Sequence, residues 1–267
     1  MDRRPFGITT APQSIPPRPF FRRPAHPCPG YIVTTALITV DVWSDVACPW
    51  CYIGKRHLEA ALRDFELRDR VQLTWHSFQL DPTSPAVSEQ KVAAALAKKY
   101  GMPPAQVAEM MKRVDGVAQS VGLQLRLADS VLGNTFDAHR LIHFAAGKGR
   151  QDEMKERLFR AYFVESLPVG QHETLIQLAS ELGFDRSEVA NMLGSGQFTE
   201  GVKADLAQAR ANGITGVPFF VFQKKYAVSG AQPAATLLNI LQRVAGELPV
   251  EPVTAAAEQC DDDGCAV

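Results

Sequence analysis

The chain has 267 residues, of which 46% are hydrophobic and 21% charged, and its formal net charge is −1. This composition is typical of a globular protein with enough apolar residues for a sizeable core. The balanced charge excludes the strongly basic surface of most nucleic-acid-binding proteins, and no apolar run approaches the roughly 18 residues that cross a bilayer. We therefore expect neither a nucleic-acid partner nor a membrane partner.

Residues 1–32 differ in composition from the rest of the chain. They hold eight of the 18 prolines, five arginines and one acid, without the apolar segment of a secretory signal, and we expect a disordered arm. Cys28 lies between prolines there, and an unreactive thiol is the simpler interpretation. The five cysteines do not suit an extracellular disulfide framework. We expect a cytoplasmic protein, in which paired cysteines usually have redox roles.

The ordered pattern begins at residues 37–43, where an apolar and β-branched run predicts a buried strand. Residues 44–52 follow with the sequence SDVACPWCY. They open a helix, and the apolar spacing after them predicts that it extends to about residue 67. A strand that leads into a helix beginning Cys-Pro-Trp-Cys is the part of the chain most suggestive of chemistry.

The two cysteines of this segment are Cys48 and Cys51. Unpaired backbone N–H groups and the positive end of the helix dipole favour a thiolate at Cys48, so we expect a lowered pKa there. Cys51 lies one turn further on, within reach of a disulfide. Cys48 is the predicted attacking sulfur and Cys51 the resolving one. The alternative of a zinc site needs a second pair of ligands, and the other close pair, Cys260 and Cys265, is far away in the C-terminal tail.

The rest of the chain predicts a mixed α/β fold. A second strand at residues 71–78 completes a parallel βαβ unit with the first. The apolar spacing then predicts a series of helices, and no strand, between residues 88 and 212. Strand character returns at residues 217–222 and 226–229, which predict a hairpin before a last helix. We expect the two ends to form one small sheet with helices on both faces, and the helices between them to form an insert.

Three segments resemble the DsbA family of the thioredoxin fold. They are the CPWC helix start, residues 213–220 with the sequence GITGVPFF, and residues 134–140 with the sequence NTFDAHR. They are most similar to the FrnE-like branch of that family. The resemblance covers about residues 37–246 and implies a thioredoxin-like fold with a large all-helical insertion.

We place four segments along the chain on this basis. The first is the disordered arm, at residues 1–32. The thioredoxin-like domain is formed by residues 33–85 and 199–248, and the inserted helical domain by residues 86–198. The last segment is a flexible tail at residues 249–267, which carries the second cysteine pair.

The resemblance implies a thiol–disulfide oxidoreductase that needs neither an organic cofactor nor a metal, with Cys48 and Cys51 as the redox pair. It also implies that the Val217–Pro218 peptide is cis and faces this pair, whereas an ordinary trans proline at a strand start is the alternative. The residues expected to contact the substrate are Pro49, Trp50, Val217 and Pro218. The substrate is expected to be a disulfide-containing protein or a small thiol, and a cellular thiol is the expected reductant.

One departure from the family concerns the redox potential. Strongly oxidising members carry histidine between the cysteines, whereas the dipeptide here is Pro49-Trp50. We therefore predict a milder potential, suited to a reductase or a protein disulfide isomerase.

Two other classes of function stay open. A glutathione-dependent transferase or isomerase, of the kappa-class or 2-hydroxychromene-2-carboxylate type, has the same fold but uses serine where Cys48 stands. A non-enzymatic metal-binding protein would use Cys48, Cys51, Cys260 and Cys265.

The tail pair Cys260 and Cys265 closes a small loop that contains three aspartates. These carboxylates would raise the pKa of both thiols and so stabilise their disulfide. We predict that the tail passes electrons to the Cys48–Cys51 disulfide; the alternatives are an incidental tail and an adventitious metal site.

The histidines add little to the prediction. His57 is expected at the surface rather than as a proton carrier, and His76 is expected to pack on the second strand. His139 and His143 are spaced to share a helical face and could bind a metal, but no third ligand accompanies them in the sequence.

Overall fold

The structure is a computed structural model, and it describes residues 36–249, which belong to one compact unit. The predicted arm with Cys28 and the tail with Cys260 and Cys265 lie outside the described residues. The predicted boundaries of the inserted helical domain stay a prediction.

Four strands and nine α-helices make up the described part of the chain. The strands are β1 (Ile38–Ser44), β2 (Val71–Ser77), β3 (Phe219–Phe222) and β4 (Tyr226–Ser229). The helices are α1 (Pro49–Arg63), α2 (Val92–Tyr100), α3 (Pro104–Ser120), α4 (Phe136–Ala146), α5 (Gln151–Phe163), α6 (His172–Glu181), α7 (Arg186–Gly194), α8 (Thr199–Ala211) and α9 (Ala234–Glu247). Within residues 36–249, no helix has both the length and the apolar character needed to span a membrane.

Local sequence explains several helix ends. The side chain of Asp185 accepts a hydrogen bond from the backbone N–H of Glu188 at 2.8 Å and so caps the start of α7. Gly101 ends α2 with a φ of 60°, a conformation that glycine adopts without steric cost. Helix α1 ends at Arg63, before the predicted end at about residue 67. Phe65, which continued the apolar spacing, is buried from the turn that follows the helix.

The sheet has the strand order β2-β1-β3-β4. Strand β1 pairs in parallel with β2 and antiparallel with β3, and β3 pairs antiparallel with β4. The parallel pair β1–β2 is the predicted βαβ unit, and the antiparallel pair β3–β4 is the predicted hairpin. The mixed α/β fold is therefore confirmed.

Alternation along the two central strands gives the sheet two covered faces. Val40 of β1 and Phe220 of β3 belong to the main core, which α1, α9 and the helices between β2 and β3 also line. Trp43 of β1 points to the opposite face, where it joins Ala209 of α8 and Ile214. Helices thus cover both faces of the sheet, and the C-terminal end of β1 is buried.

Candidate active site

The two cysteines predicted to react lie where β1 ends and α1 begins. Cys48 is the N-cap residue of α1, and Pro49 occupies the first turn, where a missing N–H donor costs nothing. Both cysteines are free thiols, 3% and 0% exposed. The backbone N–H of Cys51 donates to the carbonyl oxygen of Cys48 at 3.0 Å, so both residues belong to the first turn.

The loop before β3 faces Cys48. The Val217–Pro218 peptide is cis, as the resemblance implies. The thiol of Cys48 donates to the carbonyl oxygen of Val217 with a sulfur–oxygen distance of 3.5 Å. Trp50, between the cysteines, is 40% exposed and offers an apolar surface at the same place. Within the described residues, the structure thus brings together the residues that the sequence predicted for catalysis and substrate contact; Cys260 and Cys265 lie outside those residues.

The predicted acidity of Cys48 is wrong for this conformation. The hydrogen bond with Cys51 and the burial of the sulfur raise the pKa of the Cys48 thiol well above its usual range, and the charge of Asp45 acts in the same direction. The backbone N–H of Cys51 acts to lower it, as the helix-dipole argument requires, but this effect is the weaker one.

A buried carboxylate that the sequence did not single out lies just before the cysteines. Asp45 is 2% exposed and accepts hydrogen bonds from the backbone N–H of Leu80 at 2.8 Å and from Nε2 of His139 at 3.3 Å. Burial alone would raise the pKa of Asp45, but the bonds and charge from His139 and the bond from Leu80 lower it. Burial lowers the pKa of His139, which is therefore a neutral donor to the carboxylate. The hydrogen bonds of Asp45 therefore connect the loop that carries Cys48 to the chain after β2 and to α4.

The NTFDAHR segment, residues 134–140, helps to hold the chain around this loop in place. Nδ2 of Asn134 donates to the carbonyl oxygens of Pro82 and Ser84, at 3.1 and 2.9 Å, and so fixes the chain that follows β2. Arg140, 4% exposed, donates to backbone carbonyl oxygens at and beyond the end of α7, those of Met192, Leu193, Ser195 and Gln197. The segment is therefore a scaffold for the site and gives a physical role to residues that were noticed only by resemblance.

A second buried charge that the sequence analysis missed is Lys155 of α5. Its side chain is 0% exposed, and its Nζ donates to the carbonyl oxygen of Ser44 at 3.2 Å. Lys155 shares one helical face with Phe159 and Tyr162, both buried. That spacing was a signal in the sequence, because it places a lysine on the apolar face of its helix.

The histidines fall into separate networks. His139 bonds to Asp45, whereas Nε2 of His143 lies 2.9 Å from Asp205, so the two do not share a ligand. His76 is packed, as expected, but it also bonds to Asp41 and Asp205 at 2.9 and 2.8 Å. His57 is half-buried rather than at the surface. Among residues 36–249, no group of three potential ligands is arranged to hold a metal ion.

A cleft of about 640 Å³ opens beside the loop that leads to Cys48. Asp45 and Ala47, from the loop that leads to Cys48, form part of its wall. Helix α2 contributes Lys98 and Tyr100, and Tyr100 is 56% exposed. Neither Cys48 nor Cys51 lines this cleft.

Comparison with known proteins relates this site to a family. The model of the DSBA-like thioredoxin domain matches residues 39–242. A solved structure of a probable DsbA oxidoreductase from Streptomyces coelicolor is 39% identical and superposes with a TM-score of 0.76, over 86% of this chain and 99% of that one. The YwbO protein of Bacillus subtilis is 26% identical over 69% of this chain and 86% of its own length.

A more distant structure shares the fold. It is the cytosolic disulfide reductase DsbM of Pseudomonas aeruginosa, 18% identical, with a TM-score of 0.52 over 77% of this chain and 99% of that one. The residues that the family model matches run from β1 into α9 and include all the helices between β2 and β3. The chain belongs to the DSBA-like thioredoxin domain family.

Proposed function

We propose that the protein is a thiol–disulfide oxidoreductase, acting as a reductase or a protein disulfide isomerase through Cys48 and Cys51. Cys48 attacks a substrate disulfide and forms a mixed disulfide, and one substrate sulfur leaves as a thiol. Cys51 then attacks Cys48, which releases the second substrate sulfur and leaves a Cys48–Cys51 disulfide. Two electrons pass from the cysteine pair to the substrate, and a cellular thiol restores the pair.

The observation that carries this proposal is the position of the Cys48 sulfur. It lies 3.5 Å from the carbonyl oxygen of Val217, beside the cis Pro218, with Cys51 in the same helical turn. An extended substrate segment that pairs with the backbone of Val217 would bring its sulfur to Cys48. The exposed ring of Trp50 supplies apolar contact for the same segment.

The glutathione-dependent transferase or isomerase is the weaker alternative. Such enzymes use a serine hydroxyl to activate glutathione, and this chain has a thiol at that position with a second thiol beside it. A small thiol such as glutathione fits the proposal better as the reductant or as a substrate of exchange. We propose the cytoplasm as the compartment, because a reductase needs a reducing thiol pool.

The tail pair Cys260 and Cys265 lies outside the described residues. We keep the proposal that it delivers electrons to the Cys48–Cys51 disulfide. Three aspartates beside the two thiols support this direction of flow, because they disfavour thiolates and so stabilise the tail disulfide.

Insulin reduction by a small thiol tests the proposed function. The wild-type chain is expected to accelerate it, and Cys48→Ser is expected to abolish the acceleration. Cys51→Ser is expected to accumulate a mixed disulfide that mass spectrometry detects. Cys28→Ser is the matched control, because it removes a cysteine outside the redox pair, and it is expected to keep full activity. An active Cys48→Ser variant would contradict the proposal.

A further inference from the structure

Lys155 lies in the core below the redox pair. Its Nζ bonds to the carbonyl oxygen of Ser44, the last residue of β1, and the next residue along the chain is the buried Asp45. The ring centroids of Phe159 and Trp75 lie 4.9 and 5.6 Å from this nitrogen. A completely buried lysine is rare, because removing its charge from water is costly. Its place beside the site therefore calls for a physical reason.

Lys55 of α1 shows how a buried lysine is usually stabilised. It is 3% exposed and forms ion pairs with Glu59, Asp152 and Glu156. Within the described residues, Lys155 has no ion pair, and its one hydrogen-bond acceptor is the carbonyl oxygen of Ser44. The charge of Lys155 thus contacts aromatic rings but has no paired carboxylate within the described residues.

The negative charges that Lys155 does sense are those of the redox site. Burial lowers the pKa of Lys155 to about 8, and the charges of Cys51, Asp45 and Cys48 act against this, together with that of Asp152 in its own helix. The positive charge of Lys155 also helps to lower the pKa of His139, which lies on α4. Near neutral pH the side chain can therefore exist both as an amine and as an ammonium ion.

We propose that Lys155 is a positioning residue of the redox pair: its buried ammonium group, held at the end of β1, stabilises the thiolate that Cys51 forms during resolution. This inference rests on the proposed function. It adds to the site a residue of α5, in the helical part of the chain, which neither the cysteine motif nor the cis-proline loop contains.

The resolving step balances with this assignment. Before it, a substrate sulfur is bonded to Cys48, Cys51 is a thiol and Lys155 is an ammonium ion. The proton of Cys51 passes to water, the charge of Lys155 stabilises the resulting thiolate, and the thiolate attacks the sulfur of Cys48. The Cys48–Cys51 bond forms as the bond from Cys48 to the substrate breaks, and the substrate sulfur leaves as a thiolate that takes a proton from water. The substrate is reduced by two electrons and the cysteine pair is oxidised.

An aromatic disulfide that releases a coloured thiol separates the two steps. The assay uses the reduced full-length chain with Cys28→Ser, Cys260→Ser and Cys265→Ser, so that Cys48 and Cys51 are the only cysteines left. In this chain, attack by Cys48 releases one equivalent, and resolution by Cys51 releases a second. Lys155→Met keeps an unbranched side chain, one atom shorter, and removes the charge. We expect the second release to slow by about tenfold or more and to lose its dependence on pH near 8, with the first release much less affected.

Lys55→Met is the matched control, because it removes another buried lysine that has its own carboxylate partners. It is expected to leave both releases within about twofold of the wild type. An unchanged rate and pH profile of the second release in Lys155→Met would overturn the inference, while insulin reduction in the wild type would still support the proposed function. If the wild-type chain failed to accelerate insulin reduction, that result would instead overturn the proposed function.

Titration of the wild-type protein gives a readout that needs no folded variant. Nuclear magnetic resonance of isotope-labelled lysine side chains, in the oxidised and the reduced protein, follows each lysine with pH. We expect one lysine to titrate near pH 8 in the reduced protein and at lower pH in the oxidised protein, because the disulfide removes the sulfur charges that favour the ammonium form. Equal titration in both redox states, or no lysine that titrates below the ordinary range, would overturn the inference.

Discussion

Gly54 of α1 lies against the ring of Pro218. A Cβ atom at position 54 would come within 2.9 Å of Cγ of Pro218 and within 3.3 Å of Cζ of Phe220. The first distance is shorter than side-chain contacts normally are, so the helix that carries the cysteines and the loop that carries Pro218 fit together only with glycine at this position.

Replacing this glycine tests the packing of the two parts of the site. We expect Gly54→Ala to destabilise the protein by about 1–3 kcal/mol, because the added methyl group overpacks the contact. It should also slow insulin reduction, since Pro218 must move relative to Cys48. Gly116→Ala in α3 is the control: nothing lies within 4 Å of the added atom. This control should be stabilised by up to about 1 kcal/mol in urea unfolding, and equal effects at the two glycines would refute the prediction.

The network around His76 predicts a dependence of stability on pH. Burial acts to lower the pKa of His76, but hydrogen bonds to Asp205 and Asp41 raise it to about 9. The stabilisation is therefore complete below about pH 6.5 and is lost as pH rises through 9, by an amount of about 3 kcal/mol. Urea midpoints at about pH 6 and pH 9.5 measure it.

Asp205→Asn supplies the comparison for this pH effect. The variant keeps the shape of the side chain but removes the charge that faces His76 and His143. Its stability at about pH 6 should fall below that of the wild type, and the loss between the two pH values should shrink. An unchanged pH dependence in this variant would show that the His76 network does not cause it.

Arg140 predicts a large effect of a residue distant from the cysteines. Its guanidinium donates to four backbone carbonyl oxygens and to Oδ1 of Asp137. Arg140→Met should destabilise the protein by about 2–4 kcal/mol, because the buried acceptors beyond α7 lose their donors. Arg126→Met removes an exposed arginine paired with Asp129 and should cost less than about 1 kcal/mol. Urea unfolding distinguishes the two, and similar losses would contradict the assignment.

The tail predicts a difference between reductants. A chain that ends at Pro249 lacks Cys260 and Cys265, and it should turn over insulin more slowly when a protein reductant supplies the electrons. A small thiol that reaches Cys48 directly should support equal rates in both chains. Cys260→Ser with Cys265→Ser in the full chain separates the loss of the thiols from the loss of the tail. Unchanged rates with the protein reductant would end the shuttle proposal.

The fold was largely accessible from the sequence because its signals are local. Apolar spacing located the helices, and the β-branched runs located the strands of the sheet. The turn around Lys224 and the cap at Asp185 were visible as residue types at their own positions. The end of α1 was missed, since spacing alone does not say whether Phe65 is buried from a helix or from the turn after it.

The chemistry of the site was less accessible, because it depends on burial and on contacts between distant segments. The position of Cys48 at a helix N-terminus is visible in the sequence. The burial of its sulfur by the neighbouring thiol and by the loop at Val217 is not. Asp45 and Lys155 are separated by more than a hundred positions along the chain. Their electrostatic interaction becomes visible only in the folded core, where the charge of Asp45 acts on Lys155. His76 was expected to pack, but its two carboxylate partners come from β1 and α8.

The segment from Asn134 to Arg140 has a consequence for protein engineering. One of its ends fixes the chain after β2 and the other fixes the chain after α7, and His139 between them reaches Asp45. A chimaera that exchanged the cysteine-bearing half for that of a relative would need to import these seven positions with it. Family members should therefore tolerate recombination inside α2 and α3 far better than at the start of α4.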